Sequence, residues 1–147
     1  MGTDTGGCKG GLAQLSLESI DVRKERLKTK NWRLQAQILN FPQIRVLWIN
    51  AYLPTDPQVE SWDETDLVCC LSEVESIINV SDCNNILLCG DLNWEMKRKS
   101  KFSNVMKSFC GKNDLVSIWH GYEMDLTHIH TDLKSTSTLD NFCCCPD

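Results

Sequence analysis

The sequence predicts an α/β fold, a sandwich of mixed sheets with helices packed against them. Three observations predict it. The run Ile44 to Tyr52 is apolar on both parities, as expected for a central strand covered on both faces, and Ile86 to Cys89 is a short, continuously apolar strand. Between the two, apolar residues fall at three- and four-residue spacing, the period of a helix. Elsewhere strand-like segments follow one another directly, so the sheets are mixed rather than purely parallel.

Each element has its own justification. Gly10-Gly11 marks a tight turn, and Leu12, Ala13, Leu15 and Leu17 beyond it read as a short strand. Lys24 to Lys30 reads as a charged connector. Trp32 to Ile38 alternates apolar and polar residues, the pattern of a half-buried strand. Phe41-Pro42-Gln43 turns the chain into the central strand, which stops at Leu53-Pro54-Thr55-Asp56-Pro57, where proline removes ladder donors. Leu67, Leu71, Val74 and Ile78 give the apolar stripe of a helix within Trp62 to Val80. Ser61 is its expected N-cap, and Asp63, Glu64 and Asp66 stand at its positive end. Asp82 to Asn85 is a turn. Phe102, Val105, Met106 and Phe109 predict a second helix closed by Gly111. Leu115 to Trp119, Thr127 to Ile129 and Thr138 to Cys144 read as the last strands.

At 147 residues the chain suits one domain, and no apolar run approaches the length that spans a bilayer. The first ten residues lack the apolar core of a secretory signal, so the expected location is intracellular, nuclear or cytoplasmic. Nine cysteines contain no C-x-x-C pair, and adjacent cysteines are poor joint zinc ligands, so reduced thiols are expected. A net charge of −5 argues mildly against nucleic-acid binding, except where a divalent cation mediates the contact with phosphate.

Chemistry concentrates in three segments. Asp91 and Asn93 follow the buried strand and Gly90; strand geometry puts them on one face, about 6–7 Å apart along the chain. A carboxylate there can orient and deprotonate a water, and an amide can donate to a phosphate oxygen. Gly-Asp-x-Asn is also good turn chemistry. Asn50 and Tyr52 share a face at the end of the other central strand, where a tyrosine hydroxyl can reach a phosphate; a half-buried tyrosine before a turn is the plainer reading. Asp140, in Ser135-Thr136-Ser137-Thr138-Leu139-Asp140, stands where a strand begins and can orient a histidine.

Taken in order, these segments resemble the endonuclease/exonuclease/phosphatase superfamily, and within it the apurinic-type endonuclease domain of non-LTR retrotransposons. The resemblance runs from Gly10-Gly11-Leu12-Ala13 through Ile49-Asn50-Ala51-Tyr52-Leu53-Pro54-Thr55-Asp56 and Leu88-Cys89-Gly90-Asp91-Leu92-Asn93 to the Asp140 motif. Thr127-His128-Ile129-His130-Thr131-Asp132 looks particularly like the retrotransposon branch. The resemblance implies a four-layered α/β sandwich of the DNase-like type and a magnesium-dependent DNA endonuclease. It implies that Tyr52 contacts the scissile phosphate, that Asp91 positions and activates the attacking water, and that Asn93 binds the phosphate and helps fix Asp91. Asp140 would orient a catalytic histidine, Asn50 would line the substrate site, and Thr127 and Ser137 would approach the phosphate or the DNA surface. Magnesium is the implied cofactor, and DNA the implied partner of a monomer that does not bind membranes.

Two parts of the pattern have no counterpart. The family carries an Asn and a metal-binding Glu ahead of the Gly-Gly-Leu-Ala segment, and a Ser-Asp-His context after the Asp140 motif. His120, His128 and His130 do not obviously replace them, so no metal ligand is assigned. The expectation is a domain truncated at both ends, with residues 1–9 disordered and 10–147 forming a partial domain of weak or no activity. Two alternatives stay open. One is a non-enzymatic, domesticated or degenerate remnant that binds nucleic acid or a protein, with Lys97-Arg98-Lys99-Lys101 as a phosphate contact. The other keeps the chemistry on a phosphoinositide or sphingolipid phosphodiester.

Overall fold

A computed structural model describes residues 12–15, 22–56, 61–118, 128–129, 136–137 and 140–146. Its elements are β1 (Arg23–Leu27), β2 (Leu34–Asn40), β3 (Arg45–Tyr52), α1 (Thr65–Ser81), β4 (Asn85–Asp91), α2 (Lys101–Lys112), β5 (Val116–Ser117), β6 (His128–Ile129), β7 (Thr136–Ser137) and β8 (Asp140–Cys144). Six strands form one sheet in the order β1-β2-β3-β4-β8-β5, and β6 pairs with β7 apart from it. β3 and β4 are parallel, joined through α1 as a parallel pair requires, and the other pairings are antiparallel. The fold is therefore α/β with a mixed sheet, as the sequence predicts.

Register explains which residues face the core. Residues paired directly across strands project to the same side. Leu34, Ala36 and Ile38 of β2, Leu47, Ile49 and Ala51 of β3, Ile86 and Leu88 of β4, and Cys143 of β8 therefore share one face. All are buried, in one cluster with Leu67, Cys70, Leu71, Val74 and Ile77 of α1 and Phe102, Met106, Phe109 and Cys110 of α2. The opposite face carries Gln35, Gln37, Val46, Trp48, Asn50, Tyr52 and Leu87, all half-buried. Leu12 and Ala13 lie against it, accepting hydrogen bonds from Gln35 Nε2 and Asn50 Nδ2 (2.6 and 3.3 Å).

Several sequence expectations need correction. Lys24 to Lys30 is no mere connector: Arg23–Leu27 is an edge strand registered along the whole of β2 from Asn40 to Ala36. It buries neither face fully, so it has no apolar alternation to read; its charges instead blunt the sheet edge. Leu12 to Leu15 form no strand. β2 begins at Leu34, and Trp32 stands exposed in the turn before it. α1 starts at Thr65 rather than near Ser61, because Asp63 Oδ1 takes both the N–H and the hydroxyl of Thr65 (2.9 and 2.5 Å). Its buried stripe uses Cys70 and Ile77, leaving Ile78 half-buried. Gly111 lies inside α2, which closes at Asn113. β5 is two residues long, and the expected strand from Thr138 starts at Asp140. The expected disorder of residues 1–9 lies outside the described residues.

Candidate functional site

β3 and β4 run parallel, so their C-terminal ends meet at one end of the sheet, where open α/β sheets hold their ligands. β8 runs the other way and delivers its first residue to the same end. Tyr52 is registered opposite Asp91, and Asp91 opposite Asp140. The three side chains thus leave neighbouring strands, about 4.7–4.9 Å apart, on one face. Residues separated by 39 and 49 positions in the chain become a row.

A fourth member extends the row. Arg33 accepts the Tyr52 N–H through its carbonyl (2.9 Å) and donates from Nη1 to the Tyr52 carbonyl (3.3 Å). Its guanidinium carbon lies 5.1 Å from the centroid of the Tyr52 ring. Sequence reading missed Arg33, because Trp32 was taken as a strand residue and its neighbour as a polar filler. The signal was parity: Arg33 precedes Gln35 and Gln37 by even steps, so it faces the side that Tyr52 faces.

The turn after β4 is built around two unusual residues. Gly90 has φ +119°, and a Cβ there would lie 2.3 Å from the Ala51 carbonyl oxygen and 2.7 Å from Asn50 Oδ1. Only glycine permits this approach. Asn93 has φ +48°, in the left-handed region that asparagine tolerates. Its N–H donates to Asp91 Oδ1 (3.1 Å), and its Nδ2 donates to the Leu53 carbonyl (2.8 Å). The Leu53 N–H in turn donates to the Asp91 carbonyl (2.9 Å). The two strand ends are therefore tied together by Asn93 and Leu53.

This geometry corrects the expectation that Asp91 and Asn93 share a strand face. β4 ends at Asp91, the chain turns, and the Asn93 side chain is only 5 % exposed. Its N–H is bonded to Asp91 Oδ1, and one of its amide hydrogens is engaged by Leu53. The turn reading of Gly-Asp-x-Asn holds, and the turn is what aims Asp91. Asn50 sits one step below the row, registered with Cys89, its Nδ2 engaged by Ala13. Ser137 belongs to the separate two-stranded sheet, opposite His128. Thr127, His120, His130 and Asp132 lie outside the described residues.

Chemically, the row places two carboxylates side by side with a phenol and a guanidinium. Asp91 and Asp140 supply hard oxygen donors, which fits a hydrated magnesium held through one or two carboxylates. Among the described residues no group of three or more His, Cys, Asp or Glu side chains gathers to hold a metal, at the row or away from it. Two of the four residues in the basic run after the site are in ion pairs: Arg98 with Glu95 (2.6 Å) and Asp56 (3.8 Å), and Lys101 with Glu64 (3.2 Å). Among the described residues no helix is long and apolar enough to cross a membrane. All the described cysteines are free.

No protein-family model matches the sequence, and no curated protein does either. Solved structures do match in fold. The endonuclease domain of TRAS1, a telomere-specific non-LTR retrotransposon, superposes with TM-score 0.64 at 15 % identity, over 86 % of this chain and 57 % of that one. Sphingomyelinase C from Streptomyces griseocarneus gives 0.57 at 15 % identity, over 85 % and 49 %. An endonuclease/exonuclease/phosphatase family protein from Leptotrichia buccalis C-1013-b gives 0.51 at 14 % identity, over 76 % and 40 %. The chain has the fold of that superfamily and spans about half the length of the structures it matches.

Proposed function

We propose that the chain is part of a metal-dependent phosphodiester hydrolase acting on DNA, of the retrotransposon endonuclease type. The observation that carries this reading is the row Tyr52, Asp91, Asp140 on one face at the end of the parallel strands. Hydrolysis of a phosphodiester needs a base for the attacking water, donors for the phosphate oxygens, and stabilisation of the charge that develops. Asp91, held by the Asn93 N–H, accepts the water's proton and aims its lone pair at phosphorus. The Tyr52 hydroxyl and the Arg33 guanidinium donate to phosphate oxygens. Asp91 and Asp140 would hold magnesium, which when bound supplies positive charge to the phosphate. The likeness to the TRAS1 domain supports DNA as the substrate.

Nicking of supercoiled plasmid with magnesium tests the reading, comparing wild type with Asp91→Asn. The wild-type rate is expected to be low. Asp91→Asn should lower it further by about 10²–10⁴-fold, the usual worth of a positioned base. Nicking that survives Asp91→Asn unchanged would sink the proposal.

A further inference from the structure

The turn joining β1 to β2, residues 28–33, is held at several points. Glu73 of α1 accepts the Lys30 N–H through Oε1 (2.5 Å) and the Asn31 N–H through Oε2 (3.1 Å). Asn31 donates from Nδ2 to Cys70 Sγ (3.1 Å) and accepts the Arg33 N–H through Oδ1 (3.0 Å). Thr29 Oγ1 donates to the Leu34 carbonyl (2.8 Å), and the Leu34 N–H donates to the Asn31 carbonyl (3.0 Å). This network presents Trp32, whose side chain is 61 % exposed. The Arg33 guanidinium lies over the indole, 4.5 Å from its centroid, and the Tyr52 ring is 6.3 Å away at 55°.

We propose that Trp32 is a stacking platform for a nucleobase of the substrate strand, next to the nucleotide whose phosphate lies over Asp91. This rests on the phosphodiester reading above and deepens it. An indole that carries a guanidinium and is still 61 % exposed can offer surface to a flat partner. Every nucleobase offers such a face, whereas a sugar alcohol or a lipid headgroup offers none, so the platform favours a polynucleotide over a lipid phosphodiester. The surrounding charge agrees. Arg23, Lys24, Arg26, Lys28, Lys30 and Arg33 fall within residues 23–33 against one acid, Glu25, although the chain as a whole carries −5. That edge is where a polyanion would approach. Anchoring the turn to α1 before binding leaves less conformational freedom to lose when the base docks.

The test is fluorescence anisotropy with the full chain in EDTA, so that binding is read without cleavage. The probes are a short labelled DNA single strand and a strand of equal length whose residues are all abasic sugar phosphates. Trp32→Ala should weaken binding of the base-bearing strand roughly ten-fold and leave the abasic strand unaffected. Trp32→Phe should keep most of the affinity. An unchanged urea midpoint for both variants shows that folding is not the cause. Equal losses on the two strands, no loss on either, or a wild type that does not prefer the base-bearing strand would each overturn the proposal. The two readings fail separately. Nicking independent of Asp91 removes the hydrolase reading and leaves Trp32-dependent stacking standing. Asp91-dependent nicking with Trp32→Ala binding like wild type removes the stacking alone.

Discussion

Asp91 is aimed by its neighbours rather than by its own strand. Gly90 lets β4 pass within touching distance of the Ala51 carbonyl, and Asn93 folds back to tie the two strand ends. Gly90→Ala puts a methyl group against backbone at a positive φ, so it should cost at least roughly 2 kcal/mol of stability. Asn93→Ala removes a buried amide–carbonyl bond and should cost about 1–3 kcal/mol. Urea unfolding of the two variants checks both values. Asn93→Ala should also lower nicking even where the protein remains folded, because Asp91 then loses the turn that positions it. At this scale much was legible. Glycine, aspartate and asparagine in sequence are turn formers, and a strand ending in them presents a carboxylate. What could not be read was that Asn93 is buried, since that depends on a carbonyl forty residues earlier.

At the scale of elements, the loop after β3 and the start of α2 depend on each other. Ser100 caps α2 by accepting the Ser103 N–H (3.0 Å) and donates its own hydroxyl proton to the buried Asp56 carboxylate (2.8 Å). Ser100→Ala should therefore cost about 1–2 kcal/mol, at the upper end for a cap, because it also strips a partner from Asp56. Thermal unfolding measures the loss; Ser100→Thr should recover most of it. The helices and central strands were legible because burial imposes a period on them. β1 was not, because an exposed, charged edge strand has no buried face to write a pattern. Arg33 was hidden because its place beside the row depends on Tyr52, nineteen residues away in the chain.

For the whole molecule, the cysteines set a limit at high pH. Burial raises the pKa of Cys70 and Cys89 above the ordinary 9.0, against weaker opposing hydrogen bonds from Asn31 and Trp48. The hydrogen bond shared by Cys110 and Cys143 raises the Cys143 thiol and lowers that of Cys110, effects of opposite sign on stability. At Cys70 and Cys89 the fold favours the protonated thiol. Its contribution is complete below the unfolded pKa of about 9 and is lost as pH rises through the folded values. The urea midpoint should therefore hold steady from about pH 7 to 8 and fall above about pH 9. A midpoint that rises in that range would contradict the assignment. In the same protein, Cys69 is exposed and should react with thiol reagents before Cys89 or Cys143, as peptide mapping would show.

The strand order also fixes when the site can exist. β8 lies between β4 and β5, although it is the last of the described strands in chain order. During synthesis, β1 to β4 can pair while β4 still offers an open edge of backbone donors and acceptors. That edge closes only when residues 140–144 have left the ribosome and inserted beside it. The same insertion brings Asp140 to Asp91, so the two carboxylates become neighbours only when β8 closes that edge of β4. A nascent chain with its sheet still open carries no complete row, so any chemistry the row performs waits for residues 140–144.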